Sequence, residues 1–206
     1  MASAVDRTAA SASAKASRNQ VVLREVMTEM TKEDKGSLVE ISIKSQPDND
    51  VTFVDWFILV IIISKVVGNV DLHDIGNGNG NGDLETYGNG YVELSHQSVR
   101  FKYKTDEDGR ITELIIGCNF NEDIDSDSEE ENAIRSYHLP VEVARLDKLT
   151  DLEVVNCRSL PLELSCLPEL YRLEFCRCSD LVNSFPIQMN LPHCEYLIVT
   201  DCCQLQ

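Results

Sequence analysis

Cysteine and histidine are the residue types in this chain whose side chains could act as nucleophiles, bases or metal ligands. The 206 residues include eight cysteines and four histidines. The histidines, His73, His96, His138 and His193, stand in no HExxH frame, and no GxSxG segment accompanies them. The sequence therefore predicts no catalytic site and no enzyme activity.

A zinc site is the next chemistry that these residue types allow, because cysteines and one histidine cluster near the C-terminus. They are Cys176, Cys178, His193, Cys194, Cys202 and Cys203. Three of them, Cys178, Cys194 and Cys202, recur in phase with a repeat described below, and cysteine often serves as a small core residue. We therefore expect structural thiols, with no bound metal and no cofactor.

An acidic segment, NEDIDSDSEEE, is the other candidate for metal binding. Asp123, Asp125 and Asp127 alternate as in an EF-hand loop, but Ser128 replaces the glycine needed at the sixth position, and isoleucine stands where the twelfth position needs glutamate. Seven of the eleven residues are acidic, which favours a solvated loop over a calcium site. We assign an acidic loop to residues 121–132.

The net charge of −17 arises from 35 acidic and 18 basic residues, and it disfavours one class of partner. Phosphate backbones are bound by clustered Lys and Arg, so we expect no nucleic-acid partner. A hydrophobic fraction of 43% is sufficient for a packed core. Residues 1–20 show no apolar secretory signal, and the sequence predicts a cytoplasmic protein.

The N-terminal region divides into a polar tail and a small hydrophobic unit. Residues 1–19 have the composition of a disordered tail or of an organelle transit peptide, and the tail is the simpler interpretation. Residues 20–75 are expected to form a small helix and strand region. Within it, 20–31 has the apolar spacing of a helix, and 37–45 alternates as a strand does.

Segment 51–67, VTFVDWFILVIIISKVV, is the most hydrophobic in the chain. We expect a buried element, and its many Ile and Val residues suit a strand. Membrane insertion over 51–70 is the alternative, although that span would include Asp55 and Lys65, and a charge near a bilayer centre costs about 3 kcal/mol. A membrane-anchored or tethered protein is therefore a second hypothesis, with membrane association as its localisation.

A Gly/Asn-rich stretch over 76–90 marks the clearest domain boundary, because glycine tolerates many backbone conformations. It lacks the GxxxxGK[ST] pattern of a phosphate-binding loop, so we assign a flexible linker. After it, Ser98–Lys104 and Arg110–Ile116 alternate as two strands around a tight turn at Asp106–Gly109. The sequence predicts a hairpin that leads into the region of repeats.

Four nine-residue segments superimpose on one template, LxxLxLxxN/C. They are ITELIIGCN from Ile111, LTDLEVVNC from Leu149, LYRLEFCRC from Leu170 and CEYLIVTDC from Cys194. The last three begin at intervals of 21 and 24 residues, whereas 38 residues that include the acidic loop separate the first from the second. In a stack of such coils the first, fourth and sixth side chains point inward.

The segments between these strands carry a second pattern. LPVEVARLDKL, LPLELSCLPEL and FPIQMNLPHC place apolar residues three and four apart after a proline, which predicts short helical or 3-10 segments. The ninth template position is held by Asn119, Cys157, Cys178 and Cys202. There a small, weakly polar side chain can meet backbone groups as the chain leaves the strand.

These repeats resemble the CxxL…LP repeats of intracellular leucine-rich-repeat proteins, and in particular those of plant disease-resistance proteins. The resemblance rests on CRSLP from Cys157, CSDL from Cys178 and CCQL from Cys202, and it covers residues 91–206. It implies a recognition surface for a protein partner of unknown identity, with a role in signal transduction. No capping repeat with a polar outer face follows the last coil, so a fragment of a longer protein is a further hypothesis.

The expected fold is therefore α/β. It is a short leucine-rich-repeat solenoid, with parallel strands on the concave face and short helix or 3-10 segments on the convex face. A β-hairpin-like N-terminal cap and the disordered tail precede it.

The expected partner-binding residues follow from the period-two geometry of strands. If the fourth and sixth positions are buried, the third, fifth and seventh project from the concave sheet. A surface that mixes acids, arginines, a tyrosine and aliphatic residues is typical of protein-binding sites. The residues expected to contact a partner are Glu113, Ile115, Asp151, Glu153, Val155, Arg172, Glu174, Cys176, Arg177, Tyr196, Ile198 and Thr200.

Overall fold

The computed structural model describes residues 51–67, 84–86, 92–96, 99–118, 136–178, 181 and 190–202. Several of the predictions fall outside these residues. They are the tail over 1–19, the helix and strand over 20–31 and 37–45, the acidic loop over 121–132 and the first half, 185–189, of the third segment between repeats.

A mainly parallel, mixed sheet forms the centre of an α/β fold with few helices. The strands are β1 Leu84–Thr86, β2 Val92–His96, β3 Val99–Thr105, β4 Ile111–Cys118, β5 Tyr137–His138, β6 Asp151–Val155, β7 Cys157–Ser159, β8 Arg172–Cys176 and β9 Tyr196–Thr200. Seven of them form one sheet in the order β1-β2-β3-β4-β6-β8-β9, and β5 pairs with β7. The first three pairings are antiparallel, and β4, β6, β8 and β9 are parallel to one another.

The turn between β3 and β4 confirms the predicted hairpin. The Asp106 N–H donates to the Arg110 carbonyl at 2.9 Å, and the Gly109 N–H donates to the Asp106 carbonyl at 3.0 Å. Gly109 has a φ of 71°, which glycine adopts without a steric cost.

Three residues of the linker predicted over 76–90 form a strand, and the rest of that stretch lies outside the described residues. Its residues 84–86 form β1, which pairs with β2 along the whole of its length. The Leu-Glu-Thr tripeptide contains no glycine, and strand pairing satisfies its backbone groups where a flexible linker would leave them to water.

The hydrophobic segment forms a helix, α1 (Phe53–Val67). Thr52 caps it, since the Thr52 Oγ1 accepts from the Asp55 N–H at 3.3 Å. The ten residues Val54–Ile63 are buried, as expected, but the strand that Ile and Val favour is not formed. Among the described residues, no helix combines the length and the apolar character needed to cross a membrane.

An ion-pair network joins α1 to the hairpin. The fully buried Asp55 carboxylate accepts from the Arg110 Nε at 3.0 and 3.1 Å and from the Ile111 N–H at 2.8 Å. Arg110 also pairs with Asp147. Burial raises the pKa of Asp55, and the hydrogen bond and charge of Arg110 oppose that rise.

Two short 3-10 helices follow prolines, as predicted. Val141–Arg145 (η1) begins after Pro140, and Leu162–Cys166 (η2) begins after Pro161. Each buries one side chain fully, Val143 and Leu164 respectively. These residues belong to the same hydrophobic cluster as α1 and the sheet, so residues 51–67 and the parallel strands share one core.

Replacing Asp55 with alanine should lower the free energy of unfolding by about 3–5 kcal/mol, because the buried Arg110 guanidinium loses its most buried partner. Urea denaturation followed by circular dichroism measures this loss. The matched control is Glu169→Ala, which breaks the exposed Lys148–Glu169 pair and should cost less than about 1 kcal/mol. Equal losses in the two variants would contradict the structural role assigned to the Asp55 carboxylate.

Candidate functional site

The parallel strands align equivalent positions of the four repeat segments in cross-strand rows. The third positions are Glu113, Asp151, Arg172 and Tyr196, the fifth are Ile115, Glu153, Glu174 and Ile198, and the seventh are Gly117, Val155, Cys176 and Thr200. These registers confirm the superposition that the sequence predicts. We call the sheet surface that carries these three rows the front face.

The alternate rows point into the core and thereby define the front face. Leu114, Leu152 and Leu173 are at most 1% exposed, and Ile116, Val154 and Phe175 are fully buried. Successive side chains of a strand point to opposite sides, so the odd positions lie together on the other side. Eleven of the twelve expected contact residues occupy these rows, and the exposed Arg177 follows β8 in the turn.

Val155 is the exception among the expected contact residues. It lies in the seventh-position row, as predicted, but only 3% of it is exposed. Its neighbour Gly117 is buried as well, whereas Thr200 at the other end of the row is exposed. Strand periodicity fixes the side of the sheet to which a residue points and does not fix its exposure. Val155 is therefore withdrawn as an accessible contact residue.

A row of basic residues on β3 extends the front face and was missed from the sequence. Arg100, Lys102 and Lys104 pair directly with Gly117, Ile115 and Glu113 of β4, which places them on the same side. The Lys104 Nζ lies 2.8 Å from the Glu113 Oε1. The signal was present in the alternation of SVRFKYK, because the intervening Val, Phe and Tyr are buried.

An exposed tyrosine pair lies at the opposite end of the front face. The Tyr171 and Tyr196 rings meet edge to face with their centroids 5.0 Å apart. The side chains remain 40% and 50% exposed. The hydrogen bond to Tyr196 is the main cause that raises the pKa of Tyr171 to about 12, so the Tyr171 phenol stays neutral at physiological pH. Tyr171 was missed because it holds the second template position, which is neither among the positions predicted to be buried nor among those predicted to project from the sheet.

Carboxylates and one arginine occupy the centre of the front face, in a shallow depression between the two ends. Its polar lining consists of Glu113, Asp151, Glu153, Arg172 and Glu174. The Arg172 Nη2 lies 2.6 Å from the Glu174 Oε2. Burial raises the pKa of Glu153, the neighbouring Glu174 raises it further, and Arg172 and Lys102 oppose the rise. This arrangement is suited to holding charged or hydrogen-bonding side chains.

The chain leaves β6, β8 and β9 through residues in the left-handed region. Asn156, Arg177 and Asp201, at the eighth template position, have φ values of 58°, 55° and 54°. Asn and Asp tolerate this conformation well, whereas arginine does so at a steric cost. A hydrogen bond from the Arg177 N–H to the Thr200 carbonyl at 2.9 Å holds that residue in place.

The ninth-position cysteines connect the turns that follow successive strands through their thiols. The Cys157 N–H donates to the Cys178 Sγ at 3.3 Å, and the Cys178 N–H donates to the Cys202 Sγ at 3.2 Å. The Cys178 Sγ in turn donates to the Val154 carbonyl at 3.5 Å. These thiols meet backbone groups in the manner expected of the ninth position. We call Cys157, Cys178 and Cys202 the cysteine row.

The Cys176, Cys178 and Cys194 thiols are not activated as nucleophiles. Burial raises the pKa of Cys178 to about 12, and it also raises the pKa values of Cys176 and Cys194. A thiol with a raised pKa carries little thiolate at neutral pH and reacts slowly. Within the described ranges, no three His, Cys, Asp or Glu side chains are grouped so that they could hold a metal ion.

Comparison with known proteins gives this chain no relative. No protein-family model matches it, and no curated protein and no solved structure is significantly similar to it.

Replacing Glu153 with glutamine should stabilise the fold near pH 7 by less than about 1 kcal/mol, and this gain should vanish near pH 3.5. The folded-state pKa of Glu153 is raised above its ordinary value of 4.5, so ionisation of the wild-type carboxyl opposes folding. That cost is present above the folded-state pKa. It disappears at low pH, where both states hold the proton.

Thermal unfolding of both proteins at the two pH values checks this prediction. Glu163→Gln, at an exposed position in η2, is the control and should leave the melting temperature unchanged. A gain that persists at the lower pH would show that packing, and not charge, causes it.

Cysteine alkylation should distinguish the cysteine row from an exposed thiol. Under iodoacetamide near pH 8, Cys166 should react within minutes, whereas Cys157 and Cys178 should stay unmodified until the protein unfolds. Peptide mass spectrometry after timed quenching resolves each site. Labelling of Cys178 as fast as that of Cys166 would mean that the row opens in the native state.

Proposed function

We propose that this chain is a leucine-rich-repeat protein that binds a segment of another protein on its front face and catalyses no reaction. Three features support the repeat architecture. The last three strand segments recur at intervals of 21 and 24 residues, their registers align equivalent positions, and a 3-10 helix that follows a proline precedes the segments from Leu149 and from Leu170.

The composition of the front face is the observation that carries the binding proposal. It presents a basic row on β3, carboxylates with Arg172 at its centre, and the Tyr171–Tyr196 pair at its far end. Tyrosine and arginine are the residues on which binding energy concentrates in protein interfaces, because they combine a large apolar area with hydrogen-bonding groups.

The dimensions of the front face suit a peptide or a single helix. Five strands of about five residues span roughly 24 Å across the strands and roughly 16 Å along them, since strands lie about 4.8 Å apart and rise about 3.3 Å per residue. One segment laid across the strands could therefore contact the basic row, the central carboxylates and the tyrosine pair together.

The charges of the front face also restrict the partner segment. The carboxylates Asp151 and Glu153 and the net charge of −17 attract basic side chains. The exposed tyrosine pair offers a surface for an apolar or aromatic side chain. We therefore infer a partner segment that places a Lys or Arg over the centre of the front face and an apolar residue against the tyrosines.

A variant pair of matched chemistry tests this function. Arg172→Glu with Tyr196→Ala reverses one charge and removes one exposed large side chain on the front face. Lys148→Glu with Leu162→Ala makes the same kinds of change outside its three rows, where the Lys148 side chain is 38% exposed and Leu162 is 56% exposed. Both proteins should fold with unchanged circular dichroism.

Affinity purification from an extract of the source cells, quantified by mass spectrometry, compares the two variants with the wild type. A partner should be retained by the wild type and the control and be lost with the front-face variant. Titration calorimetry with the purified partner should then show an affinity loss of at least about tenfold for the front-face variant alone. Equal retention by both variants, or equal loss, would place recognition elsewhere.

A further inference from the structure

The last strand of the sheet, β9, exposes two apolar side chains whose equivalents in β4, β6 and β8 are all buried. Leu197 and Val199 occupy the fourth and sixth template positions of β9, and they are 53% and 46% exposed. Their counterparts one coil earlier, Leu173 and Phe175, are fully buried. The core side of β9 is therefore an open apolar surface.

The backbone of β9 is also open on one side. β9 is the terminal strand of the sheet and pairs with β8 alone among the described residues. The N–H and C=O groups on its outer edge form a template on which another extended chain can pair. Tyr196, 50% exposed on the front face, adds apolar area on the other side of the same strand.

Acidic residues flank this edge at both ends. Glu195 precedes β9 and Asp201 follows it, and both are exposed, whereas the five residues between them carry no charge. A chain that pairs with β9 over its full length would bring its own ends beside these carboxylates. Basic ends would be attracted, and acidic ends would be repelled.

These charges disfavour a second copy as the occupant. Two β9 strands related by a twofold axis would pair antiparallel about Ile198. That arrangement places Glu195 of one copy beside Asp201 of the other, at both ends, between two chains that each carry a net charge of −17. The apolar side chains match in such a pair, but the ends repel.

We propose that β9 is a strand-addition site for an extended segment of another protein, with apolar residues at alternate positions and a basic residue at each end. The apolar side chains cover Leu197 and Val199, the backbone extends the sheet by one strand, and the basic ends meet Glu195 and Asp201. This site lies at the sheet edge and is distinct from the centre of the front face.

Peptide binding to the full chain tests the proposal by fluorescence anisotropy. The probe is a labelled, end-blocked heptapeptide, Lys-Thr-Val-Thr-Val-Thr-Lys. It should bind saturably, and its affinity should fall at least about tenfold when the lysines are replaced by glutamates, since the ends then repel Glu195 and Asp201. N-methylation of both valines should cause a similar loss, because it removes donors of the strand ladder.

Protein variants locate the site. The double change Leu197→Ser with Val199→Ser should lower the affinity for the lysine peptide by at least about tenfold. The surface change Leu162→Ser should leave this affinity unchanged. Glu195→Gln with Asp201→Asn should reduce the preference for the lysine peptide over the glutamate peptide. Both pairs of changes replace exposed or partly exposed side chains, and circular dichroism verifies the fold.

Three results would overturn the proposal. One is the absence of saturable binding up to about 1 mM peptide, which corresponds to less than about 4 kcal/mol of binding free energy. Another is equal affinity for the N-methylated peptide, which would indicate adhesion through side chains alone. The third is a dimer in sedimentation equilibrium that dissociates on Leu197→Ser, which would make a second copy the occupant of the edge.

Discussion

The parallel strands β4, β6 and β8 each bury the side chains on one side and carry charged residues on the other, and the registers of the parallel pairings keep equivalent sides together. A slip of one residue would turn Leu173 and Phe175 outward and carry Glu174 into the core. Burying a carboxylate without a partner costs several kcal/mol, so the apolar rows select one register. This register also fixes the order of charges on the front face. Side chains alternate along a strand, so the residues between the buried positions must all point to the front face.

The two ends of the parallel sheet are finished in different ways. At one end, the antiparallel strands β2 and β3 and the buried pair Asp55–Arg110 tie the hairpin and α1 to the first repeat strand. At the other end, β9 leaves Leu197 and Val199 exposed. The net stability gained from an intact buried ion pair is small, because desolvation of the two charges offsets much of their attraction. Its hydrogen bonds nevertheless fix the positions of both partners. The end beside α1 is thus held in one arrangement, whereas the end at β9 presents exposed apolar side chains.

The four parallel strands and their registers could be predicted from the sequence because one template spans all four segments, and a period-two apolar pattern is buried in only one register. The helix Phe53–Val67 could not, since Ile and Val favour strands locally and packing in the shared core selects the helix. The row Arg100, Lys102 and Lys104 was missed because its place on the front face depends on the hairpin register. Exposure was the least predictable property, as Val155 shows, because it depends on neighbours distant in sequence.

The cysteine row gives the series of parallel strands a direction. The backbone N–H of Cys157 donates to the thiol of Cys178, and that of Cys178 donates to the thiol of Cys202, so the turn after each strand is secured by a cysteine that follows the next strand. Detachment of the last strand would remove the thiol that secures the turn before it. At the other end, the sheet is tied to α1 by the shared core and the Asp55–Arg110 pair. Unfolding that begins at β9 is therefore expected to proceed strand by strand toward α1.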